Sequence, residues 1–176
     1  MVLKNLLIQK KAAISKRWLD MILEAYPPEA AKFFKQEGNR FANPVGYTLL
    51  REIEPFYMEL LEGLDAEKIS PFLDRIIRIG AIQDFSPSQA VAFVYSLKKV
   101  IREELAMEIH ERRLYEDLLK FDSRIDELAL IAFDIYMQCR EKIYEIRVDE
   151  VRNRVFSLLK RANLISDISE ECEQKM

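Results

Sequence analysis

Arg78-Ile79-Gly80-Ala81-Ile82-Gln83-Asp84-Phe85-Ser86-Pro87-Ser88-Gln89-Ala90 joins two helical patterns and decides how the chain is read. Ser86 precedes a proline, and Gln89 follows three residues later. A serine hydroxyl at that position accepts a backbone N–H, and the Gln side chain returns the bond. Proline at the first helical position lacks the N–H that would otherwise go unpaired. Upstream, Leu73, Ile76, Ile77, Gly80 and Asp84 share one stripe, with Phe72, Ile79 and Ile82 beside it. Only Asp74, Arg75 and Arg78 are left for a polar side, so this helix is read as central. Gly80 on the apolar arc reads either as the close approach of another backbone or as a tolerated glycine. Downstream, Ala90, Val94, Leu97, Ile101 and Leu105 keep the helical period.

The same punctuation recurs at Asn43-Pro44 and Ser70-Pro71, which predicts helix starts at Pro44, Pro71 and Pro87. A first helix is expected over residues 3–25, with Leu7, Ile14, Trp18, Met21, Ile22 and Ala25 on one face, stopped by Tyr26-Pro27-Pro28. A short helix follows through Phe33 and Phe34 to Gly38. The helix from Pro44 carries Val45, Leu49, Ile53, Phe56 and Leu60 before Gly63, with a kink expected at Pro55. The phase slips between Ile109 and Leu114, which predicts a bend near His110. Ser123 with Asp126 offers one more helix start. The last pattern holds Ile125, Leu128, Ala132, Ile135, Cys139, Ile143, Ile146, Val151, Val155 and Leu159, about 55 Å if continuous over 124–160. These patterns give an all-α, single-domain bundle of about six helices over residues 1–160. A polar tail at 161–176 is expected to fray.

Composition agrees with that class. At 176 residues a real core is affordable, since such a chain buries roughly 70% of its unfolded surface. Four glycines and six prolines are too few for a turn-rich β-sandwich. The 27 basic and 30 acidic residues nearly cancel, leaving no field to attract nucleic acid or anionic membrane. An apolar run such as 128–133 is far short of the roughly 20 residues needed to span a bilayer, and the N-terminus lacks an uninterrupted signal-peptide core. The cytoplasm is the expected location.

Few residues offer covalent chemistry. His110 is the sole histidine, and Cys139 and Cys172 lie far apart, so no protein-held metal and no cofactor are expected. The glycines at 38, 46, 63 and 80 form no phosphate loop. His110-Glu111 is similar to the phosphoacceptor dipeptide of histidine kinases but lacks the proline that follows it there. Arg147, Arg152, Arg154, Lys160 and Arg161 enrich the chain's end in base, yet Glu145, Asp149 and Glu150 interrupt them, giving a solvated face. Gln83 and Asp84 continue the apolar stripe and need partners if buried. They read either as caps for the neighbouring helix or, with Arg78, as the lining of a small-molecule site or hinge. Gln89, Tyr136 and Arg140 complete that candidate group. Val151, Val155 and Leu159 extend the last apolar stripe and read as a homodimer interface.

The quoted stretch resembles a known family when taken with Asn43-Pro44-Val45-Gly46 before it and Phe133-Asp134-Ile135-Tyr136-Met137-Gln138-Cys139-Arg140-Glu141 after it. It is similar to the N-terminal sensor domain of the RsbT co-antagonist RsbRD, also found ahead of bacterial sensor histidine kinases, over about residues 8–160. The resemblance implies an input module of bacterial signalling, dimeric and with a protein partner. Better-known relatives in that pathway carry non-haem globin-like domains, so it also admits a globin-like bundle. It brings no catalytic residue and names no ligand. Neither a phosphorylatable STAS domain nor a kinase follows the long helix, which sets the expectation of a stand-alone sensory or regulatory domain without catalysis. Two alternatives stay open: a phosphotransfer module using His110, and a structural subunit of a larger complex.

Overall fold

The computed structural model describes residues 2–36, 41–63, 65–82, 85–162 and 164, and no strand occurs among them. Eight helices are present among the described residues: α1 (Val2–Gln9), α2 (Lys11–Glu24), α3 (Pro28–Phe34), α4 (Pro44–Glu62), α5 (Ala66–Ile82), α6 (Pro87–Glu104), α7 (Ala106–Glu111) and α8 (Tyr115–Arg161). The chain is all-α and ends in a long helix, as its periodicity predicts. It divides into two compact units, Met1–Cys139 and Arg140–Met176.

In the first unit α2 packs on α4 and α6, and α5 bridges α4 and α6. Trp18 lies at the centre, fully buried, with its indole N–H donating to the Phe93 carbonyl at 2.7 Å. Its ring sits 5.8 Å from Phe56 and 6.4 Å from Phe93, and Phe56 stacks on Phe72 at 4.2 Å. One aromatic cluster thus ties α2, α4, α5 and α6. Burying each such ring stabilises by roughly 1.5–3 kcal/mol. In α8, Leu118, Phe121, Ile125, Leu128, Ala132 and Tyr136 supply buried residues to this unit.

Two of the three proline starts are observed. Asn43 accepts the Gly46 N–H at 2.9 Å, and the same side chain donates to the Phe33 carbonyl at 2.9 Å and to that of Gln36 at 3.1 Å. Ser86 and Gln89 form the reciprocal capping box. The start expected at Pro71 lies instead at Ala66. Asp65 caps that helix, accepting the Glu67 N–H on its side chain and those of Lys68 and Ile69 on its carbonyl. The earlier start brings Ile69 into the core, at 0% exposure, and leaves Pro71 inside the helix. Pro55 likewise sits inside α4, which continues to Glu62.

Other expectations are corrected. The single helix expected over 3–25 is two, α1 and α2, parted at Lys10, whose ammonium bonds the Glu104 carbonyl at 2.7 Å and Glu108 at 2.6 Å. Ser123 starts no helix: α8 already runs through it, and its hydroxyl bonds back to the Leu119 carbonyl at 3.1 Å. Ile82, expected beside the core stripe, is 72% exposed. The phase slip after Ile109 is a real break. Arg113 adopts φ 55°, the Arg113 N–H returns to the His110 carbonyl, and the Leu114 N–H returns to that of Ile109. This is the Schellman pattern, and Ile109 and Leu114 at its two ends are both buried. Gly38, where the short helix was expected to end, lies outside the described residues, as does the tail from 165 on.

The second unit is described from Arg140 to Ala162 and at Leu164. It is helix to Arg161, and Tyr144, Val148, Val151, Val155 and Leu158 are each about half exposed.

Candidate functional site

The junction between α5 and α6 is built around Phe85. The Phe85 N–H donates to the Gly80 carbonyl at 3.0 Å. The Phe85 ring then covers Gly80: a Cβ there would lie 3.3 Å from Phe85 Cδ2. The close approach that Gly80 permits is therefore by a side-chain ring, not by another backbone. The Tyr26 ring is tilted against that of Phe85, with centroids 5.4 Å apart, and Phe34 meets Tyr26 edge-on at 5.1 Å. Burial pushes the Tyr26 phenol up from its ordinary pKa and keeps it neutral.

Tyr136 reaches this junction from α8. It is 2% exposed, and its hydroxyl donates to the Phe85 carbonyl at 2.5 Å. Gln89 meets the same turn one residue later, where its side-chain oxygen accepts the Ser86 N–H at 2.9 Å. Two of the sequence-derived candidates, Gln89 and Tyr136, thus converge on the turn that carries Phe85.

Beneath Phe85 lies a cleft of about 230 Å³ between α2, α5 and α6. Ile22, Tyr26, Ile77, Gly80, Phe85 and Phe93 form much of its wall, with Gln89 and Ser96 the polar exceptions. The Ser96 hydroxyl is occupied by the Phe93 carbonyl at 2.6 Å. A second cleft, of about 260 Å³, is rimmed by Lys4, Asp117, Lys120 and Arg124 and is far more charged.

The remaining candidates stand elsewhere. Arg78 is exposed and donates to Asp74 at 2.6 Å, and it does not line the cleft under Phe85. Gln83 and Asp84 lie outside the described residues. Arg140 belongs to the second unit, where its guanidinium donates to the Tyr144 hydroxyl at 2.9 Å and lies over that ring. Val151, Val155 and Leu159 are on the same unit. His110 is exposed on α7, with Nδ1 3.2 Å from the Tyr115 hydroxyl. Burial pushes the Cys139 thiol up in pKa, against the opposing pull of the Arg78 charge, so it stays protonated at neutral pH. Among the described residues no group of three or more His, Cys, Asp or Glu side chains is placed to hold a metal ion, and no helix is long and apolar enough to cross a membrane.

Phe85, Tyr26 and Phe93 were not singled out by sequence. Tyr26 was read only as part of a helix stop, and the two phenylalanines carry no polar signal; only the 51-residue leap from Phe85 to Tyr136 gives the junction its character.

The described residues thus form an all-helical bundle in which α8 is bonded to the Phe85 carbonyl ahead of α6. The family of RsbT co-antagonist protein rsbRD N-terminal domains matches residues 12–151, and the chain belongs to that family, which sets it among stress-response signalling domains. It is also similar to an uncharacterized protein from Archaeoglobus fulgidus, 28% identical over 138 residues that cover 76% of this chain and 79% of the relative. No solved structure matches the chain.

Proposed function

We propose that the protein is a cytoplasmic sensory or regulatory domain of a stress-response pathway, working through binding and without catalysis. A signal alters packing at the α5–α6 junction, and α8 carries the change to a protein partner. The observation that supports this is the hydrogen bond from Tyr136 to the Phe85 carbonyl, which ties the turn to the last helix. A binding event shifts such an equilibrium only as far as it favours one packing over the other, and that bond differs between a seated and a displaced Phe85. The test is genetic. In the source cell, deleting the gene and separately installing Tyr136→Phe should each alter the transcriptional response to stress. An unchanged response in the deletion strain contradicts the reading.

The same reading includes a homodimer through the second unit. Tyr144, Val148, Val151, Val155 and Leu158 recur at alternating four- and three-residue spacing and are 52, 56, 58, 47 and 58% exposed, with Leu159 beside them. That is the seam of a two-stranded coiled coil, and a second copy presents the same seam. Light scattering at tens of micromolar should give a dimeric mass, weakened by Val155→Glu, which buries an unpaired charge. A monomeric mass contradicts it.

A further inference from the structure

We infer that the cleft under Phe85 is a binding site for a compact, uncharged, largely apolar molecule, aromatic by preference. The inference rests on the reading of the junction as the signal-sensitive point and names what the site takes.

Size sets the first limit. A dry apolar cavity of about 150 Å³ holds benzene. The 230 Å³ here therefore suits a fused bicycle of about ten non-hydrogen atoms. Charge sets the second limit. None of the described side chains lining the cleft is ionised: Met21, Ile22, Ile76, Ile77 and the aromatic rings supply the surface, and Tyr26 is held neutral by burial. A carboxylate or ammonium entering would lose its water and find no counter-ion. Shape sets the third. The Phe85 and Tyr26 rings, 5.4 Å apart, share the wall with Phe93 of α6, so a flat ring finds offset and edge contacts. The Gln89 oxygen already accepts the Ser86 N–H, whereas the Ser96 hydroxyl gives its proton to the Phe93 carbonyl and keeps an oxygen lone pair to orient a single ligand N–H or O–H.

Access and consequence come from the same residue. Phe85 is half-buried, and its backbone carbonyl is the group that Tyr136 bonds. A ligand that wedges against the Phe85 ring displaces the carbonyl at the other end of that residue. Binding and the response of Tyr136 are then separable measurements on one turn.

The experiment is an NMR titration of the full chain with indole as the probe. Indole-3-carboxylate and an Ala92→Phe variant serve as controls. Ala92 lines the cleft from an exposed position, so the larger ring fills the mouth without disturbing the core, and an unchanged melting temperature checks the fold. Saturable shifts at Ile22, Ile76, Ile77, Phe85 and Phe93, passed on to Tyr136 through the Phe85 carbonyl, are expected. Affinity should fall at least about tenfold in Ala92→Phe and about a hundredfold for the carboxylate. No saturable indole binding overturns the site, and so does binding that Ala92→Phe leaves intact. Equal affinity for the carboxylate overturns the assigned ligand class. Binding with a shift at Tyr136 supports both site and junction. Binding with Tyr136 unmoved keeps the site and refutes the proposed function.

Discussion

The Tyr136 hydroxyl, on α8, donates to the Phe85 carbonyl at 2.5 Å, and this bond joins the last helix to the turn between α5 and α6. The phenol is almost fully buried, so no solvent replaces it when the bond is lost. Tyr136→Phe keeps the ring's packing and removes one buried hydrogen bond. It should lower the free energy of unfolding by about 1 kcal/mol in a urea titration. A variant as stable as the parent would mean that the bond contributes nothing.

Glycine to alanine should have opposite weight at two helical positions. At Gly46 an added Cβ would lie 2.2 Å from the Phe34 carbonyl oxygen and 2.3 Å from Asn43 Nδ2, both fixed by the cap of α4. The gain in helix propensity, about 1 kcal/mol, is overwhelmed, and Gly46→Ala should destabilise by about 2 kcal/mol or more. At Gly80 the nearest atom is the edge of the half-buried Phe85 ring at 3.3 Å, which is free to shift by tenths of an ångström. Gly80→Ala should change stability by less than about 1 kcal/mol. Paired thermal melts decide it, and comparable losses at both sites would contradict this account of Gly46.

Arg113 occupies the left-handed position that ends α7, at φ 55°. A Cβ is strained there by about 1 kcal/mol, whereas glycine adopts the conformation freely. Arg113→Gly should therefore stabilise the protein slightly, or leave it unchanged after the greater entropy of the unfolded glycine is counted. Destabilisation beyond about 1 kcal/mol would show that the arginine side chain itself holds the turn.

Tyr57 gives the protein an alkaline limit. It is wholly buried, its hydroxyl donates to the Leu7 carbonyl at 3.3 Å, and burial drives its pKa well above the ordinary 10.0. The folded state keeps the proton longer than the unfolded one, so the stability linked to this group is complete below pH 10 and declines as pH rises above it. Melting temperature should fall more steeply above pH 10 in the parent than in Tyr57→Phe. Parallel curves would contradict the assignment.

The helix class and most boundaries were legible because they are written locally. Asn43 and Ser86 carry their own caps, and the stripe of α6 needs nothing beyond its period. Ser70-Pro71 has the same appearance and misleads, because the deciding interactions are the cap by Asp65 and the burial of Ile69, which no dipeptide encodes. Ser123 misleads similarly, its hydroxyl satisfied by the turn before it rather than by a new helix. The site was half legible. Gln89, the capping partner of Ser86, and Tyr136, in the stretch that resembles the family, were placed in the candidate group, and they do meet at one turn. Phe85 was passed over because an aromatic residue in an apolar stretch looks like core, and its tie to Tyr136 spans too much sequence to be read from spacing. Arg78 was drawn in by proximity along the chain, yet its charge turns to Asp74.

The central claim is that α8 reads the state of the α5–α6 junction through Phe85. Amide hydrogen exchange measures this directly, followed in the turn of α8 around Tyr136 for the parent, Phe85→Ala, Tyr136→Phe and the double variant. The account predicts faster exchange in that turn for each single variant and no further increase in the double, since both break one connection. If Phe85→Ala leaves protection around Tyr136 at the parental level while the fold stays intact, the junction and the helix are uncoupled and the account is wrong.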